Sequence, residues 1–393
     1  MPLIAPKFFR NRLTWLAYLM LAYYGYFLNI LGPIAPFLKE ELSLSYTVSS
    51  LHFTAFAVGI LCVGLGGHVL IRWIGPSRAL WIGAVGMSGS VLLLIIGRTP
   101  TMTIGACFFM GLIGSLILAI VPSTLSDQHG ELRSIALSEA NVVSSMVSAL
   151  APLMVGVSAY WLGGWRPALG IVAMVPLVMR LSFGHVTLPT TETAPKDTTA
   201  KKESLPFLYW VYWIAIVLAV SVEFCMVFWS ADYMQHAMGM QQADAAQAVS
   251  LFLLGMIGGR LAGSRLVPRI PIQLFVAFSI LIAGVGFMLY WQAQSVLPGL
   301  IGLILTGLGV GSLYPLILSL AIGAAGNQTV QAGARATLAS GVAIVALPLV
   351  LGRLADAVGI RSAYGVVALL LIAALLIIFL AGKLSPVRQV QVQ

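Results

Sequence analysis

Twelve long apolar stretches, separated by short polar joints, run from Leu13 to Lys383 and carry almost no charge inside them. A backbone that crosses a bilayer must pair every N–H and C=O within itself, and roughly 20 mainly apolar residues of helix span the hydrocarbon core. Cutting the chain at its polar breaks places the spans at 13–37, 47–71, 79–97, 101–125, 135–161, 165–187, 208–234, 244–266, 272–292, 298–323, 335–357 and 361–382. A β-barrel would instead show alternating strands of about ten residues, which unbroken runs such as Val366 to Ala381 do not. Charged residues make up 8% of the 393 and the mean hydropathy is +0.99, where a soluble domain carries about 25% charge. The expected class is therefore all-α and integral to the membrane, with twelve transmembrane helices.

Lys7, Arg10 and Arg12 ahead of the first apolar run imitate a secretory leader. That run is too long, carries tyrosines, lacks a small-residue cleavage site and precedes eleven more spans, so it reads as a retained first helix. With the N-terminus in the cytoplasm, the cytoplasmic joints and tails collect Lys7, Arg10, Arg12, Arg72, Arg78, Arg133, Lys196, Lys201, Lys202, Arg265, Arg269, Arg335, Lys383 and Arg388. The opposite side keeps mainly Lys39, Arg98, Arg166 and Arg361. This positive-inside bias predicts both termini in the cytoplasm of a multi-pass protein of the plasma (inner) membrane. The net charge of +9 is thus a topology signal, and no basic soluble domain exists to hold a nucleic acid. Cys62, Cys107 and Cys225 all fall inside spans without metal-ligand spacing and read as small apolar residues.

Residues 188–204, rich in Thr, Pro and Lys, form the one long stretch of loop-like composition, and they lie mid-chain. The expected organisation is a six-helix bundle over 1–187, a cytoplasmic linker over 188–207, and a second six-helix bundle with a short tail over 208–393. The halves resemble each other. Pro152 and Gly156 in span 5 match Pro348 and Gly352 in span 11 at the same spacing, Gly163 then matches Gly359, and Gly114-Ser115-Leu116 in span 4 matches Gly311-Ser312-Leu313 in span 10. Parallel repeats around a central path are a layout of secondary transporters.

The ordered set of motifs carries a family resemblance. Ala151-Pro152-x-x-Val155-Gly156 and Gly164-Trp165-Arg166 around span 5, Gly259-Arg260-Leu261-Ala262-Gly263 ending span 8, and Gly352-Arg353-Leu354-Ala355-Asp356 with Gly359 ending span 11 look like the major facilitator superfamily over essentially the whole chain. The resemblance implies two pseudo-symmetric six-helix bundles that rock about a midplane site, driven by a solute or ion gradient. Two departures stand out. The usual Gly-x-Leu-Ala-Asp-Arg-x-Gly-Arg-Arg loop between spans 2 and 3 aligns on Gly75 with Arg72 where the acid is expected. The Gly-Pro-x-x-Gly-Gly associated with antiporters is degraded to Ala-Pro-x-x-Val-Gly.

Twelve acids exist in all, and Glu40, Glu41, Asp127, Glu131, Glu192, Asp197 and Glu203 read as loop residues. An ionised side chain at mid-bilayer costs roughly 2.5–3.5 kcal/mol on insertion scales, so one that remains there normally faces a cavity and exchanges protons. Glu223, in Ser221-Val222-Glu223-Phe224-Cys225, is the acid near the middle of a span and the leading site for proton coupling or substrate binding; the bland alternative is a packed, hydrogen-bonded acid. Glu139, one turn into span 5, and Arg335 both lie thirteen residues before their matched prolines. The repeat would bring them to equivalent places, giving a cytoplasmic gate, with Glu139 also a candidate in proton coupling; two unrelated helix-end charges would look the same.

Arg260 suits an anionic substrate, or the helix-loop junction that Gly-Arg stabilises in the superfamily. Tyr26, Asn29, Asn141 and Trp229, with Tyr23, Tyr24 and Tyr233 nearby, would line the cavity for a solute with polar and apolar faces, while Trp210, Trp213 and Trp291 read as interfacial anchors. Asp232 and Asp244 fall at the outer mouth, where solvation is expected. There is no Gly-x-x-x-x-Gly-Lys-Ser/Thr phosphate loop and the five histidines are scattered, so neither enzyme, cofactor nor metal is expected. The leading expectation is a proton-coupled secondary transporter of a small organic solute, monomeric, with protons and lipid as its other partners. The alternatives are an uncoupled facilitator or uniporter, a drug:proton efflux antiporter, and a non-transporting receptor; no charge ring or carbonyl filter suggests a channel.

Overall fold

The computed structural model describes residues 8–188, 204–326 and 328–384, all of whose regular elements are helical. The expected linker, and with it Lys196, Lys201 and Lys202, lies largely outside the described residues, as do Lys7 and Arg388. The helices are α1 (Arg12–Glu41), α2 (Tyr46–Ile74), α3 (Pro76–Ile96), α4 (Pro100–His129), α5 (Arg133–Trp161), α6 (Arg166–Phe183, broken at Met174), α7 (Phe207–Met238), α8 (Gln242–Leu266), α9 (Ile272–Gln292), α10 (Val296–Ala324, broken at Gly311 and Ser312), α11 (Thr329–Val358) and α12 (Ile360–Leu384, broken at Tyr364). The stretch Pro100–Trp161 is nearly continuous over 62 residues. Straight helix of that length would measure about 93 Å, three times the bilayer core. Gly130, at φ +50°, and a single 3-10 turn over Gly130–Leu132 fold it into two crossings. Each of the twelve expected spans thus has its helix.

Local chemistry explains where they start and stop. Asn11 caps α1 by accepting the Thr14 amide at 2.8 Å, and Ser45 caps α2 through Val48 at 3.2 Å. Pro100 opens α4 behind its cap Thr99, at a position whose N–H has no helical partner anyway. Gly75 turns the chain from α2 into α3 at φ +84°, and Gly359 turns α11 into α12 at φ +80°. Gly163, the expected counterpart of Gly359, also takes a left-handed φ of +77°. The matched glycines do matching backbone work.

Cα packing divides the chain into two compact units, Met1–Thr198 with Val227–Ser250, and Thr199–Met226 with Leu251–Gln393. In the first, α1 packs on α5, α2 on α4, and α3 on α4; in the second, α9 packs on α10 and α12. Backbones meet at glycine in both. Gly59 of α2 lies against Phe108 and Leu112 of α4, and Gly111 of α4 against Phe56 of α2; a Cβ at either place would collide with main chain. The second unit repeats the device, with Gly255 and Gly259 of α8 against Ile304 and Leu308, and Gly307 and Gly311 of α10 against Phe252 and Met256. Lipid tails are as apolar as leucine, so membrane helices associate through such close packing instead of through a hydrophobic force.

Candidate functional site

In the second unit α10 breaks at Gly311 and Ser312, and the break is clasped by α8. Arg260 Nε donates to the Gly311 carbonyl at 3.1 Å, and Ser312 Oγ donates to the Gly259 carbonyl at 3.1 Å. Arg260 is otherwise exposed. Glu223 stands half-buried in α7, sixteen residues from its start at Phe207, and the Arg260 guanidinium is the charge that acts on it. Arg260 thus has two roles available: it holds the α8–α10 junction and it contributes a favourable charge to Glu223, the mid-helix acid among the described residues. Arg335 of α11 lies over the Trp210 ring, 5.4 Å from its centroid, and its carbonyl accepts Trp213 Nε1 at 2.8 Å. Trp291 Nε1 likewise donates to the Arg361 carbonyl at 2.6 Å. Trp213 and Trp291 are therefore hydrogen-bonded to backbone carbonyls near the starts of α11 and α12.

In the first unit, Glu139 is held by Arg10, whose Nε and Nη2 reach its two carboxylate oxygens at 2.7 and 2.6 Å, and by the Tyr18 hydroxyl at 3.1 Å. The hydrogen bonds that Arg10 donates to Glu139 raise its guanidinium above its already high ordinary pKa, so the pair stays ionic. Residues Phe8–Asn11 carry this contact as a strap: the Phe8 ring lies tilted against His129 with centroids 4.8 Å apart, and Thr14 Oγ1 lies 2.9 Å from His129 Nε2. A sequence reading aimed at Arg335 overlooked Arg10, because a cation ahead of the first span reads only as a topology signal.

The tyrosines expected to line a cavity are structural instead. Tyr26 donates to the Ala168 carbonyl of α6 at 2.9 Å, and Tyr23 pairs with Ser88 of α3 at 2.8 Å; both are buried, as is Tyr24 against Phe56. Tyr23 and Tyr26 bond across helices because a buried phenol without a partner is costly. Asn29 and Asn141 bond back to their own helix, at Gly25 O (2.9 Å) and Leu137 O (2.8 Å), with Asn29 half-buried and Asn141 exposed. Trp229 is 0% exposed, packed edge-on to Phe53 at 5.6 Å and near Tyr46 at 5.9 Å, while Phe53 stacks on Phe228 at 4.3 Å. The expected site residues therefore do not form one cluster within either unit.

The largest correction concerns Asp232. It is 1% exposed, not solvated, and its Oδ1 lies 2.6 Å from Lys39 Nζ, itself 9% exposed. Lys39 Nζ also sits 3.7 Å from the centre of the Tyr46 ring. Asp244, by contrast, is exposed as expected. Nor are Glu40 and Glu41 loop acids: both end α1, Gln235 Nε2 donates to Glu40, and Glu41 accepts Arg98 and Arg166 at 2.6 Å each. These partners are scattered through the chain; burial sets Asp232 apart from a solvated charge, while Glu40 and Glu41 stay exposed and are set apart by their contacts alone.

Known proteins share this architecture. The model of the Major Facilitator Superfamily matches residues 15–346. An uncharacterised MFS-type transporter of Yersinia pestis is 28% identical over 226 residues, 55% of this chain and 56% of that protein, so the match spans little more than half the relative's length. A bacterial homologue of the human lysosomal transporter Spinster, in an inward-facing and unoccupied conformation, aligns with a TM-score of 0.76 at 13% identity, over 96% of this chain and 98% of that one. A variant of the nucleoside transporter NupG aligns at 0.77 with 12% identity, over 95% and 99%.

Proposed function

We propose that this chain, which belongs to the major facilitator superfamily, couples the movement of a small organic solute to protons by alternating access. It is a membrane transporter and not an enzyme. The observation carrying the coupled reading is Glu223, a half-buried carboxyl in the middle of an apolar helix with Arg260 as its acting charge. An acid in that setting gains or loses a proton at far lower cost than it keeps an uncompensated charge. Asn29, Asn141 and Arg260 are the polar groups offered to the solute, since Tyr26 and Trp229 are engaged in packing.

The working arrangement is two six-helix halves, 1–187 and 208–393, with both termini in the cytoplasm of the inner membrane. Orientation rests on the count of Lys and Arg in the joints, where the far end keeps mainly Lys39, Arg98, Arg166 and Arg361. The gate takes an altered form, in which Glu139 exchanges Arg10 for Arg335 as the protein changes state.

The test begins with a thermal-shift screen of lipophilic cations, polyols and nucleosides, and carboxylates, because a ligand of the folded state raises its apparent stability. With a solute in hand, Glu223→Gln in proteoliposomes abolishes accumulation driven by a pH gradient and leaves counterflow exchange, since the amide imitates the protonated acid. Accumulation that persists unchanged refutes the coupling role.

A further inference from the structure

We propose that Lys39, Asp232 and His236 form a proton-operated latch at the far end of the first unit, in which a proton captured by His236 passes to Asp232 and frees Lys39. The proposal rests on the proton-coupled reading above but concerns a different group from Glu223. Its geometry starts at Gly32. That residue has no side chain, and the backbone of α7 at Val227 and Phe228 occupies the place its Cβ would take. Seven residues along α1 comes Lys39 and five along α7 comes Asp232, so close approach at the glycine delivers the two charges to the same level.

The pair is poised rather than locked. A buried ion pair offsets its desolvation only where further hydrogen bonds satisfy the charges. Neither Asp232 oxygen has a hydrogen bond of good geometry, so the 2.6 Å contact with Lys39 holds the carboxylate by charge, and the Tyr46 ring supports the ammonium from its other side. His236 lies one turn further on the same helix and is 35% exposed, against 1% for Asp232. Its Nδ1 is 3.0 Å from the Asp232 carbonyl and 3.5 Å from Oδ2. A carbonyl only accepts, so Nδ1 carries the hydrogen and Nε2 holds the lone pair.

The transfer then balances. Nε2 takes one proton from water, Nδ1 gives one to Oδ2, and neutral imidazole remains in the other tautomer. Lys39 is left facing a neutral acid, and its buried ammonium is stable only if it reaches water. The remaining charges at this end do not replace the lost partner: Glu40 is held by Gln235, Glu41 by Arg98 and Arg166, and Asp244 is exposed. Acidification thus releases the end of α7 from α1.

A cysteine at Ala231, which is 0% exposed, reports that release in the full chain in lipid nanodiscs. Cys62 lies within α2 and is replaced by alanine, and an added Gln294→Cys, exposed in the joint between α9 and α10, serves as internal reference for the pH dependence of thiol chemistry. Maleimide labelling of Ala231→Cys relative to Gln294→Cys is expected to rise as pH falls from about 8 to about 5, by at most about tenfold per pH unit for a single proton. Adding Asp232→Asn gives a high ratio at every pH, and adding His236→Gln gives a low, flat one. Should Asp232→Asn fold poorly with Lys39 unpaired, the Lys39→Met/Asp232→Asn pair, which leaves no buried charge, takes its place and is expected to be flat. A parent ratio that ignores pH, or a pH dependence that survives undiminished in the Asp232 variants, overturns the latch. That outcome leaves proton-coupled transport standing if Glu223→Gln still loses accumulation.

Discussion

Arg10 grips Glu139 across 129 residues of sequence with two near-parallel hydrogen bonds, of 2.7 and 2.6 Å. The contact ties the segment ahead of the first helix to the start of α5, and both side chains remain substantially exposed, at 47% and 30%. Exposed pairs contribute little to stability and are screened by salt. The contact is therefore suited to exchange partners.

Neutralising either residue should change state populations more than stability. Arg10→Ala and Glu139→Gln are each expected to lower the melting temperature of detergent-purified protein only slightly. Under the exchange gate, Glu139→Gln alters cysteine accessibility near Arg335, and Arg335→Gln reproduces that change. Matched melting curves with unaltered accessibility in both variants would reduce the contact to a surface strap.

Gly32 should not tolerate a side chain. Leucine there drives its Cβ into the α7 backbone at Val227 and Phe228, and overpacking of this kind costs about 1–3 kcal/mol. The expected result is a lower melting temperature together with exposure of Trp229, read as a red-shifted and more quenchable Trp229 signal in a background where the other tryptophans are replaced by phenylalanine. Gly64, inside α2 with open space around it, is the control and should accept alanine without loss of stability, since alanine is the better helix former.

Gly156 should behave in the same way for a different contact. Its Cβ would fall 2.6 Å from the Ala243 carbonyl and against the Gln247 side chain. Gly156→Leu is expected to destabilise the first unit, measured by thermal unfolding in nanodiscs. If the repeat is functional, Gly352→Leu at its buried counterpart has a similar effect. A silent Gly352→Leu would limit the repeat to composition.

Arg260 should separate its two roles under conservative change. Arg260→Lys keeps the charge acting on Glu223 but loses the directed guanidinium bond to Gly311, which lysine cannot reproduce with the same planar geometry. Stability should therefore fall while the pH dependence of transport is retained. Arg260→Gln is expected to disturb both. A lysine variant with normal stability and an altered pH profile would invert the assignment.

Number, length and order of the helices were legible in the chain itself, because a bilayer imposes one rule on every crossing: pair the backbone internally and carry about 20 apolar residues. The same holds for the glycines after α5 and α11, since a left-handed turn selects that residue locally. Partnership was not legible. Asp232 and Asp244 look alike as acids near helix ends, yet one is buried on Lys39 and the other exposed. Tyr26 and Arg10 look like a cavity residue and a topology charge, and serve as a cross-helix tie and the clasp of Glu139. Such roles depend on which helices approach closely and at what level, and that is decided by glycine contacts such as Gly32 against α7, between residues far apart in sequence. Hydropathy is a local property that survives in one dimension; the partner of a charge is a distance, and only the packed chain has one.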